Sequence, residues 1–377
     1  MVKITYTFSF VLIAAVGSLL FTENNSARGG ESRPVERTAS PYTYATTQID
    51  SAFSYFWKKR GFNGNVLVAL HDSVIYKNTF GYADLKKKEP LNIQSVFQLA
   101  SVSKQFTAVA IMMLHERGLI AYEDTVQKFI PEFPYKNITV MELLAHRSGL
   151  PNYMYFSGKY WRNKRTFLTN NDVLEMLIQY KPGVEFMPDR RYKYSNTGYA
   201  ILAIIVERVS GMPFDQFMEQ NVFMPLGMHN TFVYNPKSKK TIEYETNGYS
   251  RNRRRAYDDF LSGVVGDKGV FSTVDDLFLW DQALYTEKIL KQSTLEEAFE
   301  PISYDRKRKN NYGFGWRITT LEDGSKIVYH GGWWRGYNSL FVRRLEDHAT
   351  VIILANKVNW SFGDINELMA LLSPSSL

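Results

Sequence analysis

The apolar positions of this chain change period twice. Asn65 to Leu70 and Val74 to Phe80 are rich in Val, Ile and Tyr and flank the short polar break His71-Asp72-Ser73, which predicts a β-hairpin. From Phe106 the apolar residues recur as Val109, Ala110, Met113 and Leu114, the spacing of one helix face, and Gly118 ends the run. Helical signals then dominate from about 120 to 300. Thr139 and Glu142 read as a capping box before Leu143 and Leu144, with a stop at Gly149. Ala200 to Val209 closes at Gly211, and Pro213 opens a further helix. Ser272 with Asp275 predicts the start of another, running through Leu277, Leu279, Trp280 and Leu284. Strand patterns return at Trp316 to Leu321, Lys326 to His330, Ser339 to Arg344 and Thr350 to Ala355, with a turn at Asp323-Gly324 and a closing helix from about Gly363 to Leu372.

Sheet segments at both ends with helices between them predict an α+β fold. The antiparallel sheet is built from the two chain ends and flanked by helices, and a mainly helical lobe is inserted between them. The first 22 residues have Lys3 and then a mostly apolar run from about Phe8 to Phe21. That is short for a bilayer span and reads as an export signal, either removed or kept as an anchor. Residues 23–46 are polar and read as a linker, leaving 47–377 as the folded domain. The expected location is outside the cytoplasm, periplasmic or at the cell surface, with membrane contact through the leader alone.

With 377 residues, 45% of them hydrophobic and 22% charged, the chain can bury a large core. Cysteine is absent, so disulfides and thiolate metal sites are excluded, and an enzyme here must use an oxygen or nitrogen nucleophile. The formal charge of +7 suits an anionic surface. Its basic clusters, Arg251 to Arg255 and Arg306 to Lys309, lie in stretches without apolar period and read as solvated loops. Nucleic-acid motifs are lacking. His115-Glu116 has no second histidine at metalloprotease spacing, so no metal or other cofactor is expected. The Gly-x-Ser-x-Gly elbow of α/β-hydrolases is also missing.

Chemistry enters at Ser101-Val102-Ser103-Lys104. At i and i+3 on the first helical turn the hydroxyl and the amine project from one face, so the lysine can reach the serine. The unpaired N–H groups and positive dipole end of the helix lie where negative charge develops during acyl transfer. A lysine that ordinarily titrates at about 10.4 must be shifted down by burial and cationic neighbours to accept that proton near neutrality. Tyr194-Ser195-Asn196 precedes another helical run, unlike the matching triplets at Tyr76 and Tyr135, which fall in a strand and a loop. His330-Gly331-Gly332 ends a strand, where the glycines let backbone approach a substrate closely.

The ordered strings "FQLASVSKQFTA", "LLAHRSGLP", "YSNTGYAILAIIVERVSGMPF", "PLGMHNT", "GDKGVFSTVDDL", "YGFGW" and "HGG" resemble the serine β-lactamase and penicillin-binding superfamily. The likeness runs from about Asn63 to Asn356 and is strongest to the class C β-lactamase-like group, which includes D-aminopeptidases and esterases. The resemblance implies Ser101 as the acylated nucleophile, Lys104 as its proton partner and Tyr194 as an alternative or cooperating base, the latter two sharing a proton as a coupled pair. It implies Asn196, His330, Gly331 and Gly332 around the substrate, and an oxyanion hole from the backbone N–H groups of Ser101 and Trp333. His146 is set aside as a base, because the turn that carries it serves structure in relatives. His330 stands where β-lactamases usually have lysine, and a neutral histidine lacks the permanent cation that attracts an antibiotic's carboxylate. Arg335 or Lys268 is a candidate for that charge. Trp333 and Trp334 would narrow the pocket or wall the acyl group, and Val184 to Lys193, with Arg190 and Arg191, is longer than the family's usual link. The expected activity is hydrolysis of an ester or amide, with a small-molecule or cell-wall-derived peptide substrate. The alternatives are a true β-lactamase and a slow penicillin-binding or sensing protein. The sequence does not set the oligomeric state.

Overall fold

The computed structural model describes residues 43–236, 242–305, 310–321, 324–358 and 372. The leader, most of the linker, the Arg306 to Lys309 cluster, Asp323 of the expected turn and nearly all of the expected C-terminal helix lie outside the described residues.

Eight strands form one antiparallel sheet: β1 (Gly64–Leu70), β2 (Ser73–Phe80), β3 (Ser303–Asp305), β4 (Asn310–Tyr312), β5 (Arg317–Thr320), β6 (Lys326–Trp334), β7 (Tyr337–Arg344) and β8 (Ala349–Ala355). Their spatial order is β2-β1-β8-β7-β6-β5-β4-β3, so the two chain ends meet at the β1–β8 pair, in register from Gly64 with Ala355 to Ala69 with Thr350. The sheet expected from both termini is therefore present. Its first hairpin turns at His71 and Asp72, both with positive φ, the conformation a two-residue turn needs to match strand twist.

Apolar side chains on the two sheet faces feed separate cores. Val66, Val68 and Ile353 pack with Ile49 and Phe53 of the helix α1 (Thr43–Tyr55). This helix begins within the segment read as linker. The opposite face, with Leu67, Phe341 and Ile352, joins the large core of the helical layer. That layer includes α2 (Ser103–Glu116), α3 (Val140–Leu144), α4 (Tyr153–Tyr160), α5 (Asn170–Tyr180), α6 (Asn196–Ser210) and α7 (Val274–Ala283).

The capping box expected at Thr139 is formed, each partner closing the other's backbone N–H. The cap expected at Ser272 is displaced by one residue. Ser272 ends a short strand, and it is Thr273 that accepts from the Asp276 N–H to start α7. Three short strands, Phe97–Gln98, Phe232–Val233 and Val270–Ser272, make a second small sheet that the sequence pattern did not reveal.

Candidate active site

Ser101 lies on the 3-10 turn Ala100–Val102 that runs directly into α2, so Lys104 occupies the first turn of the helix. Ala100 takes a positive φ of 49°, a sharp bend that lifts Ser101 out of the strand-to-helix path. The Lys104 side chain is fully buried. Its Nζ lies 3.2 Å from Ser101 Oγ, 2.9 Å from Asn196 Oδ1 and 2.7 Å from the Asp267 carbonyl oxygen. Three acceptors match the three donors of an ammonium, and the Ser101 hydroxyl can reverse its role and donate when the amine is neutral. Burial lowers the Lys104 pKa to about 7, opposed by the Asp267 carboxylate and assisted by the nearby Arg317 cation.

α6 and the loop before it bring the third and fourth groups. Asn196 is the first residue of α6, where its Oδ1 meets Lys104 while its Nδ2 donates to Met154 Sδ at 3.1 Å. Tyr194, two residues earlier, places its ring centroid 4.8 Å from Lys104 Nζ. The structure thus gathers Ser101, Lys104, Tyr194 and Asn196 around one amine.

β6 supplies the facing wall. At Gly332 an added Cβ would stand 2.3 Å from both the Leu99 carbonyl oxygen and Ser339 Oγ, so absence of a side chain sets how closely the strand approaches the Ser101 turn. A Gly332→Ala change is expected to destabilise the fold by about 1–3 kcal/mol. By pushing strand from turn it should lower kcat/KM by about a hundredfold. Thermal unfolding and steady-state kinetics on one preparation check both.

His330 is buried, its Nδ1 donating to the Gly331 carbonyl oxygen at 2.7 Å and its Nε2 accepting from the Tyr312 hydroxyl at 3.2 Å. Trp333 is 53% exposed, whereas Trp334 is buried, donating to Ser262 Oγ at 3.3 Å. Trp333 alone of the two stands open to solvent.

Neither expected substitute cation is available. Lys268 Nζ is buried and donates to the Tyr153 hydroxyl at 2.6 Å and the Val264 carbonyl at 2.9 Å, and Arg335 is paired with Asp259. The cation beside the site is Arg317, which the sequence reading missed. Its guanidinium carbon lies 5.6 Å from the Tyr194 ring centroid and 5.8 Å from that of Tyr312. Asp267 was missed as well, and its carboxylate accepts from Tyr153 at 3.0 Å while its carbonyl holds Lys104. The string "GDKGVFSTVDDL" contains Asp267 and "YGFGW" ends just before Arg317, but neither string assigned these residues a role.

His146 packs against Tyr194, Tyr199 and Tyr312, with Nδ1 accepting from the Ser195 N–H. Burial holds its pKa well below the ordinary histidine value, which fits a structural role. The Val184 to Lys193 link is tied down by its own ion pairs, Lys193 with Glu185 and Arg147 with Asp189, while Arg191 covers Phe186.

A Ser-x-x-Lys turn against an antiparallel sheet, with tyrosine and asparagine brought over by a helical layer, is the layout of the β-lactamase and penicillin-binding class of serine hydrolases. The chain belongs to the beta-lactamase family, whose model matches residues 49–373, and is a serine hydrolase of that family. It is 37% identical over 322 residues to penicillin-binding protein 4* of Bacillus subtilis, covering 82% of this chain and 71% of that one. It is 24% identical over 299 residues to a D-aminopeptidase of Cereibacter sphaeroides, covering 79% of this chain and 57% of the relative. Among solved structures, the octameric penicillin-binding protein homologue from Pyrococcus abyssi superposes with a TM-score of 0.75 at 24% identity, over 86% of this chain and 77% of that one. The D-amino acid amidase from Ochrobactrum anthropi gives 0.71 at 23% identity, over 89% and 99%. Among the described residues no helix is long and apolar enough to cross a membrane.

Proposed function

We propose that this chain hydrolyses an ester or amide through an acyl-enzyme on Ser101, acting outside the cytoplasm on a small or peptidic substrate of the D-amino-acid or cell-wall type. One observation carries the reading: a fully buried amine, brought to a pKa of about 7, lies 3.2 Å from an otherwise unreactive hydroxyl. Ser101 Oγ attacks the carbonyl carbon as its proton passes to neutral Lys104. The oxyanion is held by the Ser101 and Trp333 N–H groups. The proton then returns, directly or through Tyr194, to the leaving alcohol or amine. In the second half, a water gives its proton to the same pair and attacks the acyl carbon, releasing the acid and restoring Ser101. Asn196 and the backbone of Gly331 and Gly332 line the substrate, and His330 backs the tyrosine wall. Only water and substrate enter this balance.

Steady hydrolysis of p-nitrophenyl butyrate, lost in Ser101→Ala, tests the proposal, with intact mass following the acyl adduct. Ester or D-peptide adducts that form and decay support it, and a wild-type protein with neither turnover nor adduct on Ser101 overturns it. The relatives named for penicillin binding favour a second reading, in which the adduct persists. The same measurement on a penicillin separates trapping from β-lactamase turnover.

The pH profile follows from the amine. Since the reaction needs neutral Lys104, kcat/KM should rise with pH through an apparent value of about 7. Arg317→Met should move that limb to higher pH, because it removes a positive charge that disfavours protonation, while Arg317→Lys should leave it near the wild-type position. Asp267 acts in the opposite sense from its own loop. Tyr194, Lys268, His146, His330, Tyr199 and Tyr312 also surround the amine and Arg317 and are unchanged in both variants.

A further inference from the structure

The Arg251 to Arg255 run, read from sequence as a solvated loop, lines a cavity of about 580 Å³. Folding brings to the same place two basic runs distant in sequence. Lys86 and Lys88 line it from one side, Trp57 and Gly61, which bracket Lys58, Lys59 and Arg60, from another, and Lys357 enters from the strand end. Ser101, Lys104, Tyr194, Asn196 and His330 take no part in it.

The cavity lining carries net positive charge, five basic side chains against the one carboxylate of Asp84, with Glu245 near Arg255. Among the described residues, Lys86, Lys88, Arg253, Arg255 and Lys357 make no ion pair. Asp84 also lines it, but its carboxylate is committed to the Lys86 and Lys87 N–H groups at 2.8 and 2.9 Å and to Asn247 at 3.0 Å. Lys357 is buried, donates to the Gly61 carbonyl at 3.0 Å, and has its pKa pushed down by burial and then by Arg253 and Arg251. A Cβ on Gly61 would stand 2.7 Å from that Nζ, so the glycine makes room for a cation that the surroundings disfavour.

Aromatic rings border the same space. Trp57 and Tyr257 are 42% and 69% exposed, and Arg255 lies 5.1 Å from the Tyr257 ring centroid. Flat rings beside cations suit a ligand with both a C–H face and anionic groups. The floor residues Lys357, Asp84 and Tyr249 are buried, so a planar bilayer cannot reach them and an entering ligand can. A nucleobase would need acceptors for its amino groups. Asp84 is committed, and the Asn63 side chain is engaged by Tyr82 and Asn356.

We propose that this cavity binds an anionic saccharide, its carboxylates or phosphates held by Arg253, Arg255 and Lys357 and its ring face laid on Trp57 or Tyr257. The site is separate from the Ser101 chemistry and does not depend on it.

Tryptophan fluorescence and calorimetric titration of the full chain with a galacturonate oligomer, a sugar phosphate, a neutral maltooligosaccharide, AMP and phosphatidylglycerol vesicles test this at low and high salt. Saturable binding of the galacturonate oligomer or the sugar phosphate is expected, at least about tenfold tighter than the neutral sugar and weakened by salt. The two anionic sugars separate the carboxylate from the phosphate source. The Arg253→Gln/Arg255→Gln double variant and, separately, Trp57→Ala should each lose about tenfold in affinity while p-nitrophenyl butyrate turnover is unchanged. Lys86→Gln serves as the second charge variant if the double variant does not fold. Equal binding of the neutral sugar, binding confined to AMP or vesicles, no binding at all, or affinity untouched by these variants would each overturn the proposal.

Discussion

Lys104→Ala is expected to lower kcat/KM for p-nitrophenyl butyrate by about three to four orders of magnitude while leaving the fold intact. The buried amine lies 3.2 Å from Ser101 Oγ with its pKa lowered to about 7, so its removal takes away the group poised to accept the hydroxyl's proton. The rising limb of the pH profile near 7 should vanish with it. Asn196 Oδ1 and the Asp267 carbonyl lose a donor but can be reached by water through the space the side chain vacates. Circular dichroism on the variant separates loss of chemistry from loss of structure. A variant that retained normal turnover and its pH dependence would remove Lys104 from the mechanism.

Asp281→Ala should produce the largest stability loss, about 3–5 kcal/mol by urea unfolding. Asp281 and Arg343 are both fully buried, with Arg343 Nε donating to Asp281 Oδ1 at 2.6 Å and Thr350 Oγ1 donating to the same oxygen at 2.9 Å. This contact bolts α7 to β7 and β8. Removing the carboxylate alone strands a desolvated guanidinium, whereas the double change Asp281→Leu/Arg343→Met deletes both charges and should recover much of the loss. If the double variant is no better than Asp281→Ala alone, desolvation of the lone cation is not the cause.

What was legible in the sequence depended on how local each signal was. Ser101 and Lys104 could be read because i, i+3 spacing on a helix is itself a statement about distance. Tyr194 and Asn196 sit some ninety residues away, and only the ordered strings linked them to Ser101. Asp267 lay inside one of those strings without a role assigned to it, and Arg317 just beyond the end of another. The charge of Arg317 acts across strands, and Asp267 reaches Lys104 through a main-chain carbonyl that any residue possesses. Lys268 and Arg335 looked equally eligible as cations until their partners were known.

The same contrast runs through the fold. β1 and β2 were visible from composition and their polar break, yet Phe97–Gln98 and Phe232–Val233 are too short to show alternation. The cap of α7 slipped by one residue because Ser272-Asp275 and Thr273-Asp276 are equivalent as text, and tertiary contact of Ser272 Oγ with Thr231 decides between them. α1 has Ala45, Ile49 and Phe53 at intervals of four, a stripe overlooked inside a polar stretch.

The seam between β1 and β8 has a consequence for biosynthesis. Val66 has no partner on that side until Ile353 has been made, so the middle of the sheet stays open until the whole helical layer between them has left the ribosome. Such distant pairing slows acquisition of the native state. A nascent chain held loose in this way can be threaded through a narrow pore before it locks.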